Sequence, residues 1–283
     1  MNISELRQEY HRRICSEIIR ISHGAKGDYP NFADGSSVLS TNYAWGILKQ
    51  LSCKRNDNKL KGQTAGTRFE RITKDFVEDS LTYLQHVRPG EFEYFVRESI
   101  TQFTQYDHLN YISRAFKGDA VLASAFGGDY VVQADITVGK KPMSDALIDE
   151  HGILRNSADD HAKYTILRER NSPHQILHAV ISCKWTIRTD RAQNTRTEVL
   201  NLIRNRKGHL PHIVAITAEP WPARIAALAL GTGDLDCVYH FALPELIETV
   251  NESGSEDAIE SLKIMVDGKR LRDVSDLPFD LVA

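Results

Sequence analysis

The second half of the chain alternates strand-like and helix-like segments, and this order restricts the possible folds more than any other feature. Three segments are short and rich in β-branched and other apolar residues, and we predict them to be strands: 176–185, 212–217 and 237–241. Three segments that follow them place apolar residues at helical spacing: 189–206, 222–230 and 243–250. A strand followed by a helix, repeated in this way, predicts an α/β sheet with helices on both sides.

The remaining segments extend this prediction to the whole chain. Segment 176–185 is apolar on both faces, as expected of a central strand. Segment 130–138 predicts an earlier strand, and the tail is predicted to close with a strand or turn near 266–269. The N-terminal part is predicted to be helical, most clearly over 68–87, where one apolar stripe recurs every three or four residues. Since no segment resembles a linker, we predict a single domain, 1–283.

Composition sets limits on partners and on cellular location. Of the 283 residues, 41% are hydrophobic, which is enough to bury a substantial core. The formal net charge of -3 does not suggest a broad nucleic-acid-binding surface, but segment 184–209 holds seven Lys and Arg against two Asp and Glu. That basic segment fits either a binding cleft or a solvated helix face. No apolar stretch is long enough for a membrane helix and the N-terminus is charged, so we predict a cytoplasmic protein without a membrane partner.

The four cysteines predict neither a zinc site nor a disulfide framework. They are widely separated, and no two of them form a C-x-x-C pair: Cys15, Cys53, Cys183 and Cys237.

Two charged residues interrupt segments that are otherwise apolar. Asp135 lies within predicted strand 130–138, and Lys184 lies within predicted strand 176–185. A buried charge without a partner costs several kcal/mol, so each residue needs a counter-charge, an ion or access to solvent. An Asp–Lys ion pair, two solvent-exposed strand ends and an ion-binding site all satisfy this requirement.

The ion-binding alternative gains support from the residues near Lys184. Ser182 and Lys184 point to the same face of a strand, and the carbonyl of Cys183 is available to a metal on the side of Asp135. Glu198 follows 14 residues after Lys184 on the next predicted helix. Magnesium (Mg2+) prefers such oxygen ligands, and phosphodiester hydrolysis needs a metal-activated water. Asp135 would anchor the metal, Lys184 would orient the water or neutralise the phosphate, and Glu198 would supply a second carboxylate.

The sequence around these residues resembles a known family. Residues 182–191 read SCKWTIRTDR and, with the following segment to 220, resemble the type II restriction endonucleases that read a CCGG core, and most closely the NgoMIV family. Further matches support the resemblance: NFADGS at 31–36, GQTAGTRFE at 62–70, LQHVRPGEF at 84–92, ALGTGDLDCVYHFAL at 229–243 and IMVDGKRLRDVSDLPFDL at 264–281. It covers nearly the whole chain and is weakest over 93–175. It implies a restriction-endonuclease-like PD-(D/E)xK fold, with a central mixed β-sheet flanked by helices and a helical N-terminal part.

The resemblance implies a magnesium-dependent catalytic site. The residues implied to be catalytic are Glu70, Asp135, Ser182, Lys184 and Glu198. Asp135 and the carbonyl of Cys183 would bind the metal. Ser182 stands where the commoner nuclease pattern has an acid, and Ala134 stands where the family often has proline. Proline contributes geometry there and no ligand, so this second departure leaves the metal site unchanged.

The resemblance also implies how DNA would be recognised. Arg188, Asp190 and Arg191 would read the CCGG core in the major groove, because arginine donates twice to guanine and aspartate accepts from cytosine. The residues alone favour a different interpretation, in which Asp190 is a helix N-cap with surface salt bridges around it. The remaining DNA contacts implied are Arg224 with the outer guanine, Asp34 and Ser36 with the outer cytosine, and Gln63 in the minor groove.

These residues together predict a type II site-specific deoxyribonuclease of a restriction–modification system. The expected site is GCCGGC in double-stranded DNA, cut after the first G to leave a four-base 5′ overhang. A palindromic site requires at least a dimer, and the resemblance implies a homotetramer built as a dimer of dimers. The alternative is a repair or recombination nuclease of the same fold without strict sequence preference. A DNA-binding module without catalysis is a third hypothesis, which the intact set of acidic residues disfavours.

Overall fold

A computed structural model describes residues 1–116, 121, 131–154, 161–187, 189–231, 233–253 and 255–283, and of residues 116 and 189–192 the backbone alone. These residues form two compact units, each assembled from separate stretches of the chain. Unit 1 comprises 1–88, 181–199 and 213–283, and unit 2 comprises 89–180 and 200–212. The single domain predicted for 1–283 stays a prediction.

Unit 1 contains the parallel part of the sheet. Strands β6 (His212–Thr217), β7 (Cys237–His240) and β8 (Leu271–Asp273) lie side by side in that order. β6 pairs with β7 in parallel, and β7 pairs with β8 in parallel. Because parallel neighbours need a crossover, a helix follows each strand: α7 (Pro222–Ala229) after β6, and α8 (Leu243–Ser253) and α9 (Glu256–Asp267) after β7. Short helix α10 (Leu277–Val282) follows β8.

The N-terminal part of unit 1 is mainly helical. It contains α1 (Ile3–Arg13) with a π-helical turn at Ile14–Ile18, hairpin β1 (Ile21–Gly24) and β2 (Gly27–Pro30), α2 (Val38–Gln50) and α3 (Gly62–Tyr83). Asn2 and Glu5 form a capping box that begins α1. Helix α1 packs on α3, where the rings of Tyr10 and Phe76 lie 5.0 Å apart and the Tyr10 hydroxyl hydrogen-bonds to Thr73.

A disulfide joins Cys15 to Cys53 in unit 1, which corrects the expectation of no disulfide framework. The two residues are 38 apart in sequence, one in the π-helical turn and the other after α2. Their spacing carries no signal, because tertiary packing alone brings them together. Cys183 and Cys237 are free and buried.

Unit 2 contains the antiparallel part of the sheet. Strands β3 (Phe92–Val96) and β4 (Ile136–Lys140) pair antiparallel, with Val96 opposite Ile136. Helices α4 (His108–Phe116) and α5 (Asp145–Ile148) also belong to it. The buried side chain of Gln105 donates to the carbonyl of Leu177 at 2.8 Å and accepts from its amide at 2.8 Å. A single amide thus satisfies both backbone groups of a residue in the next strand.

Strand β5 (Ile176–Lys184) is shared, since the chain passes from unit 2 to unit 1 within it. It neighbours β4 on one side and β6 on the other, and every residue before Lys184 is buried. The six strands therefore form one mixed sheet in the order β3-β4-β5-β6-β7-β8, flanked by helices. The predicted fold class is confirmed, and so is the central place of this strand. Helix α6 (Thr189–Asn205) follows it.

One predicted boundary was wrong and another was right in part. The strand predicted at 130–138 begins only at Ile136, so Asp135 lies directly before it. Near 266–269 a strand or a turn was predicted: α9 continues to Asp267, a turn follows at 268–269 in which Lys269 has a φ of 57°, and strand β8 begins only at Leu271. No helix within the described ranges is both long and apolar enough to cross a membrane.

Candidate functional site

The end of β5 carries the predicted Ser-x-Lys pair. Ser182 and Cys183 are buried, whereas Lys184 is partly exposed at the strand end. The carbonyl of Lys184 accepts hydrogen bonds from the Thr217 hydroxyl at 2.9 Å and from the Ala218 amide at 3.2 Å, both at the end of β6. The backbone that holds Lys184 is therefore fixed by two bonds to the neighbouring strand.

An aromatic cluster holds the residue that follows Lys184. Trp185 is buried, and its ring lies 5.2 Å from Phe69, 5.7 Å from Phe32 and 6.3 Å from Phe241, measured between ring centroids. Phe69 precedes Glu70 on α3, and Glu70 is itself buried. Packing of Phe69 on Trp185 thus places the helix that carries Glu70 against the segment after Lys184. The sequence prediction used Glu70 but did not identify this cluster.

A buried carboxylate lies where β6 ends. Glu219 has no solvent exposure, its Oε2 accepts the Ile187 amide at 2.9 Å, and its Oε1 accepts the Trp221 amide at 3.3 Å. The Glu219 amide in turn donates to the Thr217 hydroxyl at 3.0 Å. Burial raises the pKa of Glu219 to about 7, against the lowering effect of the Ile187 amide and of the Arg224 charge.

The three residues predicted for the outer base pair lie together in unit 1. Arg224 forms an ion pair with Asp34 through its Nη2 atom, although the two are 190 residues apart. The Ser36 hydroxyl donates to Asp34 Oδ1 at 2.6 Å, and the Ser36 amide donates to the same oxygen at 3.0 Å. The hydrogen bonds from Ser36, with further help from Arg224, lower the pKa of Asp34 to about 2. The guanidinium of Arg224 also lies 5.1 Å from the ring centre of Trp221.

The other predicted residues are placed separately. Asp135 is a partly buried residue of unit 2, and its carbonyl accepts the Arg97 amide at 3.0 Å. Glu198 is partly exposed on α6 in unit 1, and Gln63 is exposed in the first turn of α3. Because Asp135 and Glu198 belong to different units, their joint action on one metal stays a prediction.

The predicted core-reading residues fall outside what the structure describes. Arg188 is outside the described residues, and so are the side chains of Asp190 and Arg191. The backbone of residues 189–191 forms the first turn of α6, which begins two residues after Ile187. Their predicted role therefore rests on the sequence.

The available donors fit a hard divalent cation in their chemistry. Within the described part of the chain, no three His, Cys, Asp or Glu side chains gather as a ready metal centre. Magnesium does not need such a group, because it keeps several waters and is bound through one or two carboxylates and other oxygens. Asp135, Glu70 and the carbonyl of Cys183 are oxygen donors of this kind.

Glu219 and Trp185 are the site residues that the sequence prediction missed. A charged residue two positions after a strand as apolar as HIVAIT, and followed by Pro220, was the available signal for Glu219. Its partners are backbone amides, which leave no trace in side-chain patterns.

Comparisons with known proteins agree on the family. The family described as NgoMIV restriction enzyme matches residues 10–283. A curated relative, the type II restriction enzyme NgoMIV of Neisseria gonorrhoeae, is 45% identical over 280 residues, which cover 97% of this chain and 96% of the relative. A solved structure, the restriction endonuclease PspGI–substrate DNA complex, also matches. The alignment covers 100% of this chain and 92% of the chain in that structure, with 15% sequence identity and a TM-score of 0.31. A TM-score this low supports no inference.

Proposed function

We infer the activity of this chain from the family to which it belongs, the NgoMIV restriction enzyme family. It is a type II restriction endonuclease, a site-specific deoxyribonuclease that acts on double-stranded DNA and depends on a divalent metal. The observation that carries this conclusion is 45% identity over 97% of the chain. We propose the finer points separately: magnesium as the metal, GCCGGC as the site, and a cut after the first G.

We propose that the end of β5 performs the hydrolysis. Lys184 orients the attacking water or neutralises the phosphate, and Ser182 lies on the same strand face. Asp135 and the Cys183 carbonyl hold the metal, while Glu70 and Glu198 act as supporting carboxylates. When bound, magnesium supplies an activated water and stabilises charge on the phosphate oxygens. The two hydrogen bonds to the Lys184 carbonyl support this role, because they fix the strand end from which the lysine reaches the DNA.

We propose that base reading is divided between two places. Arg188, Asp190 and Arg191 read the CCGG core. Arg224 and Asp34 read the outer G·C pair, since arginine donates to guanine O6 and N7 and aspartate accepts from cytosine N4. The ion pair between Arg224 and Asp34 supports this assignment, because it sets a donor group beside an acceptor, as one G·C pair requires.

The remaining proposals concern the outer contacts and the assembly. Ser36 holds Asp34 in place through two hydrogen bonds, and exposed Gln63 contacts the minor groove. A palindromic site requires two copies related by a two-fold axis, and we propose a homotetramer that binds two sites together. We also propose that the enzyme acts in the cytoplasm.

Digestion of DNA of known sequence tests the proposal. The purified protein is incubated with magnesium and a plasmid that carries several GCCGGC sites. We expect discrete fragments whose 5′ ends begin with CCGG, and no cutting after metal removal with a chelator. A smear of random lengths would favour the repair or recombination nuclease instead, and ends at another sequence would refute GCCGGC. Lys184→Ala is the matched control, because it should bind the DNA and leave it intact.

A further inference from the structure

Glu219 connects two segments to which the proposed function gives different tasks. One is the short segment 185–187, which joins Lys184 to the core-reading residues, and the other is the start of α7, which carries Arg224. Oε2 of Glu219 accepts the Ile187 amide at 2.9 Å and lies 4.0 Å from Nη1 of Arg224. A single carboxylate oxygen is thus close to both segments.

The backbone around Glu219 strengthens this connection. Thr217 donates its hydroxyl to the Lys184 carbonyl at 2.9 Å and accepts the Glu219 amide at 3.0 Å. Residues 184–187 are therefore fixed at both ends by residues 217–219. On the other side, Oε1 of Glu219 accepts the Trp221 amide at 3.3 Å, and the Trp221 ring lies under Arg224. The carboxylate thus contributes to the position of the backbone and of the arginine.

A buried charged group is costly to a protein, so its position needs a reason. Glu219 has no solvent exposure and no place in the hydrolysis proposed above. The backbone amides of Ile187 and Trp221 are satisfied by any acceptor, but a negative charge beside Arg224 needs an acidic residue. The combination of two amides and one arginine points to a role in alignment.

We propose that Glu219 is a positioning residue that aligns the outer-base reader Arg224 with the core-reading segment that begins at Arg188. Arg224 is held between two carboxylates, Asp34 at its Nη2 atom and Glu219 near its Nη1 atom. Glu219 thereby sets the direction of the guanidinium relative to the backbone of Ile187. The outer-base reader Arg224 and the backbone of Ile187, which precedes the core-reading segment, are then both held by one carboxylate. This inference rests on the proposed function.

The test compares sequence discrimination by the full-length protein and its variants. Wild type, Glu219→Gln and Glu219→Asp are assayed with magnesium at about pH 8.5, where a carboxyl with a pKa of about 7 is charged. Three duplexes are compared: GCCGGC, ACCGGT with a changed outer pair, and GCTAGC with a changed core. Glutamine keeps the size of the side chain but loses the charge and one acceptor, whereas aspartate keeps the charge. Glu245→Gln is the control, because Glu245 is a partly buried carboxylate that bonds an arginine, Arg7, elsewhere in unit 1. The readouts are kcat/KM on each duplex and thermal unfolding.

We expect Glu219→Gln to lose roughly 10-fold in preference for GCCGGC over ACCGGT, within the range of one bidentate base contact. Its preference over GCTAGC should change much less, and Glu219→Asp should regain part of the outer preference. Glu245→Gln should leave both preferences unchanged.

Two further results would overturn different claims. The first result is a wild type that prefers GCCGGC and a Glu219→Gln variant that keeps the outer preference or loses both preferences equally. This result refutes the positioning role of Glu219 and leaves the proposed specificity intact. A folded wild type that shows no preference for GCCGGC refutes the proposed specificity, and this inference with it. If Glu219→Gln does not fold, Glu219→Asp decides, since an unchanged outer preference in that variant refutes the role.

Discussion

The buried carboxyl of Glu219 should make the stability of the protein depend on pH between 4.5 and about 7. Its pKa is raised from 4.5 to about 7 in the folded state, so the folded protein binds a proton more tightly than the unfolded chain. The stabilising effect of that proton is complete below pH 4.5 and is lost as the pH rises through about 7. A change in pKa from 4.5 to about 7 corresponds to about 3 kcal/mol in the free energy of unfolding.

A neighbouring group, His240, changes the stability with pH in the opposite direction, so its effect has to be separated from that of Glu219. Burial lowers the pKa of His240 from 6.5 to about 4, so its contribution to stability is lost as the pH falls over much of the same range. His240 lies next to Glu219, since its Nε2 is 3.2 Å from the Glu219 carbonyl oxygen. Arg224 and Asp34 also face the Glu219 side chain, and the pKa of Asp34, lowered to about 2 by its hydrogen bonds with Ser36, lies below this window. The wild-type curve alone therefore does not isolate Glu219.

The measurement is the difference between wild type and Glu219→Gln in urea unfolding from pH 4.5 to 7.5. As the pH rises across this range, we expect the free energy of unfolding of wild type to fall by about 3 kcal/mol relative to that of the variant. The altered hydrogen bonds of the variant add a difference that does not change with pH, so they do not affect this comparison. Glu245→Gln serves as the control, because the ion pair with Arg7 lowers the pKa of Glu245 despite its burial and moves its effect below pH 4.5. Two parallel curves for wild type and Glu219→Gln would refute the reasoning, since Glu219 would then titrate normally.

Three further predictions concern catalysis and stability. Lys184→Ala should lower kcat roughly 100- to 1,000-fold while DNA binding persists, measured by cleavage rate and gel shift; weaker binding with normal kcat would contradict its role. Arg7→Ala should lower the free energy of unfolding by about 3 kcal/mol, because Arg7 donates two hydrogen bonds to buried Asp273; an unchanged urea midpoint would contradict this. Cys53→Ser should cost about 4 kcal/mol by opening the loop that Cys53 closes with Cys15; equal stability of oxidised wild type and variant would show that the link contributes nothing.

The strands that the sequence predicted best are those buried on both faces. The segment predicted at 212–217 coincides with β6, and the segment at 176–185 differs from β5 by one residue. A strand buried on both faces is mainly apolar, so its limits are visible in the sequence. β3 was not predicted, because all of its residues are only partly buried and Glu93 interrupts its aromatic residues. The position of Asp135 was wrong because β-propensity does not show where pairing begins.

Some residues of the candidate site were likewise predicted from the sequence, and others were not. Asp34, Ser36 and Arg224 were predicted through a family resemblance, and the structure brings these three residues together. Composition and spacing gave no reason to join residues so far apart in the chain. Glu219 was not predicted, since a carboxylate that bonds the amide of Ile187 depends on the path of the backbone. The Cys15–Cys53 pair was missed for the same physical reason.

The ion pair of Arg224 and Asp34 has a consequence for the search along DNA. Attraction to phosphates is independent of sequence and grows with each cation that displaces a counterion. An arginine already neutralised by an aspartate adds little to that attraction. It therefore does not lengthen the time for which the protein stays bound to unrelated DNA. On the proposed role in base reading, the pair would exchange its internal contact for base contacts only where a G·C pair stands at the right position. Outer-pair mutants that lose Asp34 alone should therefore bind unrelated DNA more tightly, and more so at low salt.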